Sequence, residues 1–147
     1  MKKRIPDIIC ALFILLFAYA AFSKLFGLSQ FRSALSNAPL IGRYATVFSL
    51  LIPVLELVVV ILLILPRTVA TGLIAATSLL IAFTGYLVLM VLTDPNLPCS
   101  CGGVFQQLSW KQHIAFNVFF IILGIIGIYF QRTVFIEKQR TDILQKN

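Results

Sequence analysis

Four apolar runs, residues 8–26, 44–65, 69–92 and 110–130, leave this chain few places to fold. Each can cross about 30 Å of hydrocarbon at about 1.5 Å of helical rise per residue. Hydrophobic residues make up 60% of the 147 positions and charged residues only 12%, where a soluble domain carries roughly a quarter. Mean hydropathy is +1.00. Water would not tolerate this surface, and a bilayer does. The expected fold is therefore all-α: an integral membrane four-helix bundle forming one domain over residues 1–147, its spans joined by short connections. The formal charge of +7 does not point to nucleic acid. The basic residues stand scattered at the ends of apolar runs, as membrane-flanking charges do, and form no basic face.

Residues 1–20 look like a signal peptide, with "MKKR" before an apolar run and Ala18-Tyr19-Ala20 as a small-x-small pattern. The apolar stretch continues to Phe26, longer than a signal core, so an uncut first helix is expected. Orientation follows from the flanking Lys and Arg residues. Lys2, Lys3, Arg4, Arg67, Arg132, Lys138, Arg140 and Lys146 fall on one side, and Lys24, Arg32, Arg43 and Lys111 on the other. Eight against four places both termini in the cytoplasm of a bacterial cell, with the protein in the inner membrane. The connection between the third and fourth spans then faces outward, to the periplasm of a Gram-negative cell, where disulfides persist.

The first connection reads as a short interfacial helix, because Leu28, Phe31 and Leu35 recur at helical spacing. Ser29 is placed to cap it and Asn37-Ala38-Pro39 to stop it. The second connection is essentially Pro66-Arg67, which makes the middle two spans a tight hairpin. Gly72 and Ala76 put small residues on one face of the third span, where a neighbouring helix can approach. After residue 130 the helical rhythm continues through Val134, Ile136 and Leu144, polar enough to lie on the cytoplasmic surface.

Candidate chemistry is concentrated in the third connection, "PCSCGGVFQQLSWKQH". Cys99 and Cys101 are one residue apart. A disulfide between them closes a small, strained ring, which favours exchange over stapling. Gly102 and Gly103 remove bulk beside the sulfurs. Ser109 and Gln112 have the spacing of a capping box, and Lys111 adds a positive charge; both favour a nearby thiolate. His113 lies one turn into the fourth span as a candidate proton acceptor, and Asn117, one turn further, is placed to orient it. A closed zinc site needs four ligands, and only His113 is there to join the cysteines, so no metal is expected. Trp110 reads as an interfacial anchor and Cys10 as inert packing.

Glu56 is the second anomaly. It sits about 20 Å along the second span by helical rise, where an ionisable group costs several kcal/mol unless it is protonated, paired or facing a polar cavity. That points to proton handling or to a quinone-like cofactor. Pro53, one turn before it, frees a carbonyl and is expected to kink the helix. Lys24 falls near the outer end of the first span. Helical rise places it and Glu56 at different depths, so snorkelling to the interface, not a direct pair, is expected of Lys24.

Together "FSKLF", "PVLEL", "CSCGG" and "LSWKQHIAFN" resemble the MauE/DoxX-like family of redox-associated membrane proteins, over nearly the whole chain. The resemblance implies Lys24, Glu56, Cys99 and Cys101 as characteristic polar positions, with His113 and Asn117 as features of the subgroup. MauE-like members are implied to assist disulfide formation or maturation of periplasmic redox enzymes, and DoxX-like relatives to take part in quinone-linked sulfur oxidation. The chain departs from vitamin-K-epoxide-reductase-like oxidants in lacking a C-x-x-C pair and a second outer pair to relay electrons.

Three readings follow. One is thiol–disulfide or electron transfer at the outer face, supporting a partner redox protein, as a thiol–disulfide oxidoreductase or a quinone-linked subunit. Cys99 and Cys101 would exchange, His113 would adjust their protonation, and Glu56 would serve an intramembrane proton or cofactor site. The alternative is a non-catalytic membrane subunit or assembly factor with structural cysteines. The third is a small transporter centred on Glu56.

Overall fold

The computed structural model describes residues 4–36, 42–93 and 110–144. They form five α-helices: α1 (Arg4–Phe26), α2 (Leu28–Ser36), α3 (Ala45–Ile64), α4 (Val69–Thr93) and α5 (Trp110–Leu144), with a short 3₁₀ turn at Gly42–Tyr44 before α3. No strand occurs among the described residues. Four stretches are long and apolar enough to cross a membrane: Pro6–Phe26, Gly42–Ile64, Val69–Leu92 and Lys111–Thr133. The all-α four-span architecture expected from the apolar runs is present.

α1 packs on α3 and α5, α3 on α4, and α4 on α5, which closes a ring in the order α1, α3, α4, α5. Neighbours run antiparallel. Gly124 and Gly127 of α5 face Thr77 and Leu73 of α4 in reverse order, and Phe13 and Ile9 of α1 likewise. The end of the bundle at which α1 stops and α3 starts carries α2, and is called the α2 end below.

Each span buries one narrow stripe and exposes the rest, as lipid permits. In α3 the buried positions are Ala45, Ser49, Pro53, Glu56, Val59 and Leu63, recurring every three or four residues. Val54, Leu55, Val58 and Ile61 face outward. In water this would be inside-out, because the polar groups are within. Lipid tails are as apolar as leucine, so packing and polar satisfaction decide which face turns inward. Buried hydroxyls are satisfied within their own helices: Ser49 Oγ donates to the Thr46 carbonyl at 2.8 Å, Thr77 to Leu73 at 2.7 Å and Thr84 to Leu80 at 2.6 Å.

The interior divides along its length. Away from the α2 end it is apolar, with Ile9, Cys10, Phe13, Val59, Leu63, Leu73 and Ala76 in one cluster. Cys10 is packing there, as expected. Phe13 is fully buried, stacked on Phe17 at 6.3 Å between ring centroids and edge-on to Phe120 at 5.6 Å. Phe116 lies 4.8 Å from Phe120. These four rings floor the polar region above them.

Local details refine the expectations. α2 begins at Leu28, with Phe31 N–H donating to the Gly27 carbonyl at 2.9 Å, so Ser29 is inside the helix and not its cap. Asn37-Ala38-Pro39 lies outside the described residues. α3 runs through Pro53 as one helix, although proline supplies no N–H to the Ser49 carbonyl. It stops at Leu65, which is extended at φ −78°, ψ 118°, as a residue before proline must be. Thr68 closes the hairpin, its hydroxyl donating to the Leu62 carbonyl at 2.9 Å. α5 continues as a single helix to Leu144.

Gly72 sits where α4 turns back onto α3. A Cβ there would lie 2.9 Å from the Leu62 carbonyl carbon and 3.0 Å from the Leu63 nitrogen, both backbone atoms that cannot step aside. Around Gly85 an added Cβ meets nothing within 4 Å. Gly72→Ala should therefore lower the unfolding midpoint in detergent, by the equivalent of about 1–3 kcal/mol of overpacking. Gly85→Ala should leave it unchanged or raise it, since alanine gains up to about 1 kcal/mol of helix propensity over glycine. Equal effects of the two would contradict the close approach at the hairpin.

Candidate functional site

Lys24 and Glu56 meet inside the bundle. Lys24 Nζ is 2.6 Å from Glu56 Oε1, with the residues only 5% and 6% exposed. This corrects the expectation that Lys24 would snorkel outward at a depth different from that of Glu56. At the α2 end, the ends of α1 and α3 are not level. Phe31 and Leu35 of α2 pack with Ala45, Phe48 and Ile52, so α2 covers the first turns of α3 and α1 meets it further in. Side-chain direction adds to this. Cα–Cβ bonds tilt toward a helix's own N-terminus, so on antiparallel neighbours Lys24 leans into the bundle while Glu56 leans toward the α2 end. A long contact from Lys24 Nζ to the Ala20 carbonyl, at 3.5 Å, confirms that the lysine runs back along α1. The ammonium also lies 5.9 Å from the Phe31 ring centroid, close enough for cation–π attraction.

A small cavity opens beside the pair. Leu16, Phe17 and Ala20 of α1, Leu80 and Phe83 of α4, and His113, Phe116 and Asn117 of α5 complete its wall, so every span contributes. His113 is 5% exposed and Asn117 3%. The imidazole lies 5.9 Å from the Phe83 ring centroid, tilted by 56°. Of the sequence candidates, Glu56 and His113 are thus brought to one cavity, together with Lys24 and Asn117. Asn117 Nδ2 has no hydrogen-bond partner, so that atom does not orient the imidazole in the way expected. Glu56 Oε2 is also unpartnered.

The cavity encloses about 60 Å³, against roughly 300–1,000 Å³ for sites that surround drug-sized ligands. As it stands it does not fit a quinone ring. The arrangement is suited instead to holding charge and exchanging protons within a mostly apolar wall.

Cys99, Cys101 and Ser109 lie outside the described residues. Residues 94–109 leave α4 after Thr93 and return at Trp110, both at the α2 end, where the cavity also lies. Sequence reasoning missed Lys24 as the partner of Glu56, Phe31 as the ring beside its ammonium, and Phe83 as part of the cavity wall. Their signal was faint: an aromatic residue in an apolar chain is unremarkable until the fold aims it.

Over residues 2–130 the chain matches the family model described as methylamine utilisation protein MauE. No curated protein matches the chain, and no solved structure does.

Removing one member of a buried ion pair strands the other, at a cost of about 3–5 kcal/mol, whereas removing both can be nearly neutral. Lys24→Met and Glu56→Leu should each destabilise the protein by about that much, and the double variant by less than either. Unfolding in mixed micelles, followed by helix content, reads the cycle. Additive costs would show that the two side chains act separately.

Proposed function

Because the chain belongs to the MauE family, a multi-pass membrane protein is the premise, and we propose that it serves methylamine utilisation by maturing a partner redox protein through thiol–disulfide exchange. On this reading it sits in the bacterial inner membrane with both termini cytoplasmic and the α2 end outward, and Cys99 and Cys101 are the exchanging pair. The observation that carries the reading is the buried Lys24–Glu56 pair in one cavity with His113, at the end to which the cysteine segment is tethered. Cys99 follows Thr93, the last residue of α4, by six positions in the chain.

The chemistry is balanced. A thiolate of the partner attacks one sulfur of the Cys99–Cys101 disulfide, forming a mixed disulfide and releasing the other cysteine as a thiolate. The partner's second thiolate then attacks the mixed disulfide. The partner leaves oxidised and the Cys99–Cys101 pair reduced, two electrons having moved. Each attack needs a thiol to lose a proton and a leaving thiolate to gain one. His113 and the Lys24–Glu56 pair form the acid–base cluster that accepts and returns those protons.

Non-reducing gels test the exchange. One of Cys99→Ser and Cys101→Ser, whichever removes the resolving thiol, should accumulate a covalent complex with the partner that dissolves on reduction. Glu56→Gln, which keeps shape and loses the titratable proton, should insert normally and mature less partner. If neither cysteine variant traps a complex and the double variant matures the partner as the parent does, the cysteines are structural and the protein is an assembly subunit.

A further inference from the structure

Two residues that line this cavity each carry a buried polar atom without a partner: Glu56 Oε2 and Asn117 Nδ2. Both residues are more than nine-tenths buried. The first is an acceptor and the second a donor, so they cannot satisfy one another through an apolar group. Leaving either without a hydrogen bond is unfavourable, more so for the carboxylate. A native interior seldom leaves two such groups around one cavity without a ligand.

We propose that the cavity binds ordered water, which accepts from Asn117 and donates to Glu56 Oε2. Size agrees. About 60 Å³ exceeds the roughly 10–15 Å³ that one water requires, and it falls short of an organic ring. Chemistry agrees as well, because water is both donor and acceptor. Should the amide be turned over, with oxygen toward the cavity, the same water donates to it instead. Apolar cavities stay dry, but this one offers polar anchors on α3 and α5 with the Lys24 ammonium beside them.

The consequence is directional. Below the cavity stand the rings of Phe13, Phe17, Phe116 and Phe120, which offer no hydrogen-bonding atoms. The aromatic floor therefore separates this water from the end of the bundle away from α2. This goes beyond the thiol-exchange reading and does not require it, since the water would be there even with structural cysteines.

Water-edited solid-state NMR of the full chain in lipid bilayers reads the site directly. The sequence has two glutamates, Glu56 and Glu137, so Glu56→Gln identifies the Glu56 carboxylate signal. Magnetisation should pass from water to Glu56 Cδ and Asn117 Nδ2 at mixing times at which the ring carbons of Phe13, fully buried in the same bundle, receive none. Asn117→Leu, close in size but without either polar group, should lose the transfer to Glu56. Glu56 and Asn117 as dry as Phe13 would overturn the proposal, and so would undiminished transfer to Glu56 in a folded Asn117→Leu. If that variant fails to insert, the parent spectrum decides alone.

Discussion

A lysine and a glutamate held 2.6 Å apart between two membrane helices set the conditions that the rest of this bundle meets. At an effective dielectric of about 20, their attraction is roughly 6 kcal/mol. Stripping water from each ion costs several kcal/mol, so the pair does little better than break even. Stability alone does not explain its presence. What it does impose is geometry. Once either charge is inside, the other must be there too, and α1, α3 and the packing of α2 on the first turns of α3 must all hold register to keep them together.

The same constraint sorts the interior. Hydroxyls that could not be afforded as open donors turn back on their own helices, as Thr77 and Thr84 do. His113 and Asn117 come to the cavity beside the ion pair. Phenylalanines close the space beneath. One end of the bundle is therefore polar and near the α2 end, and the other is sealed by apolar packing in which Gly124 and Gly127 let α5 approach α4 and α1 closely.

Much of the architecture was legible in the sequence because hydrocarbon thickness is a blunt ruler. Runs of about 20 apolar residues announce spans without any periodicity, and Pro66 beside a Gly72 face announces the hairpin. The cost of an ionisable side chain in lipid marked Glu56, and His113 and Asn117 were paired by their one-turn spacing. Lys24 was misread for a physical reason. Depth counted along each helix assumes that helix ends are level, and nothing in the sequence says that α2 takes up the first turns of α3. Nor does a linear count include the inward lean of a lysine on one helix toward a glutamate leaning outward on its antiparallel neighbour. The unpartnered atoms of Glu56 and Asn117 were equally out of reach, because satisfaction depends on distances between helices.

The pair itself is the claim on which the site stands, and its distance can be measured in lipid. With ¹⁵N in the lysine side chains and ¹³C in the glutamate carboxyls, rotational-echo double-resonance NMR reports the separation of Lys24 Nζ from Glu56 Cδ. A contact at 2.6 Å between Nζ and Oε1 requires strong dephasing of one ammonium signal, removed in Glu56→Gln, where the amide no longer holds a negative charge. A Lys24 signal without dephasing would mean that the lysine snorkels to the interface and that Glu56 stands in the membrane with some other partner.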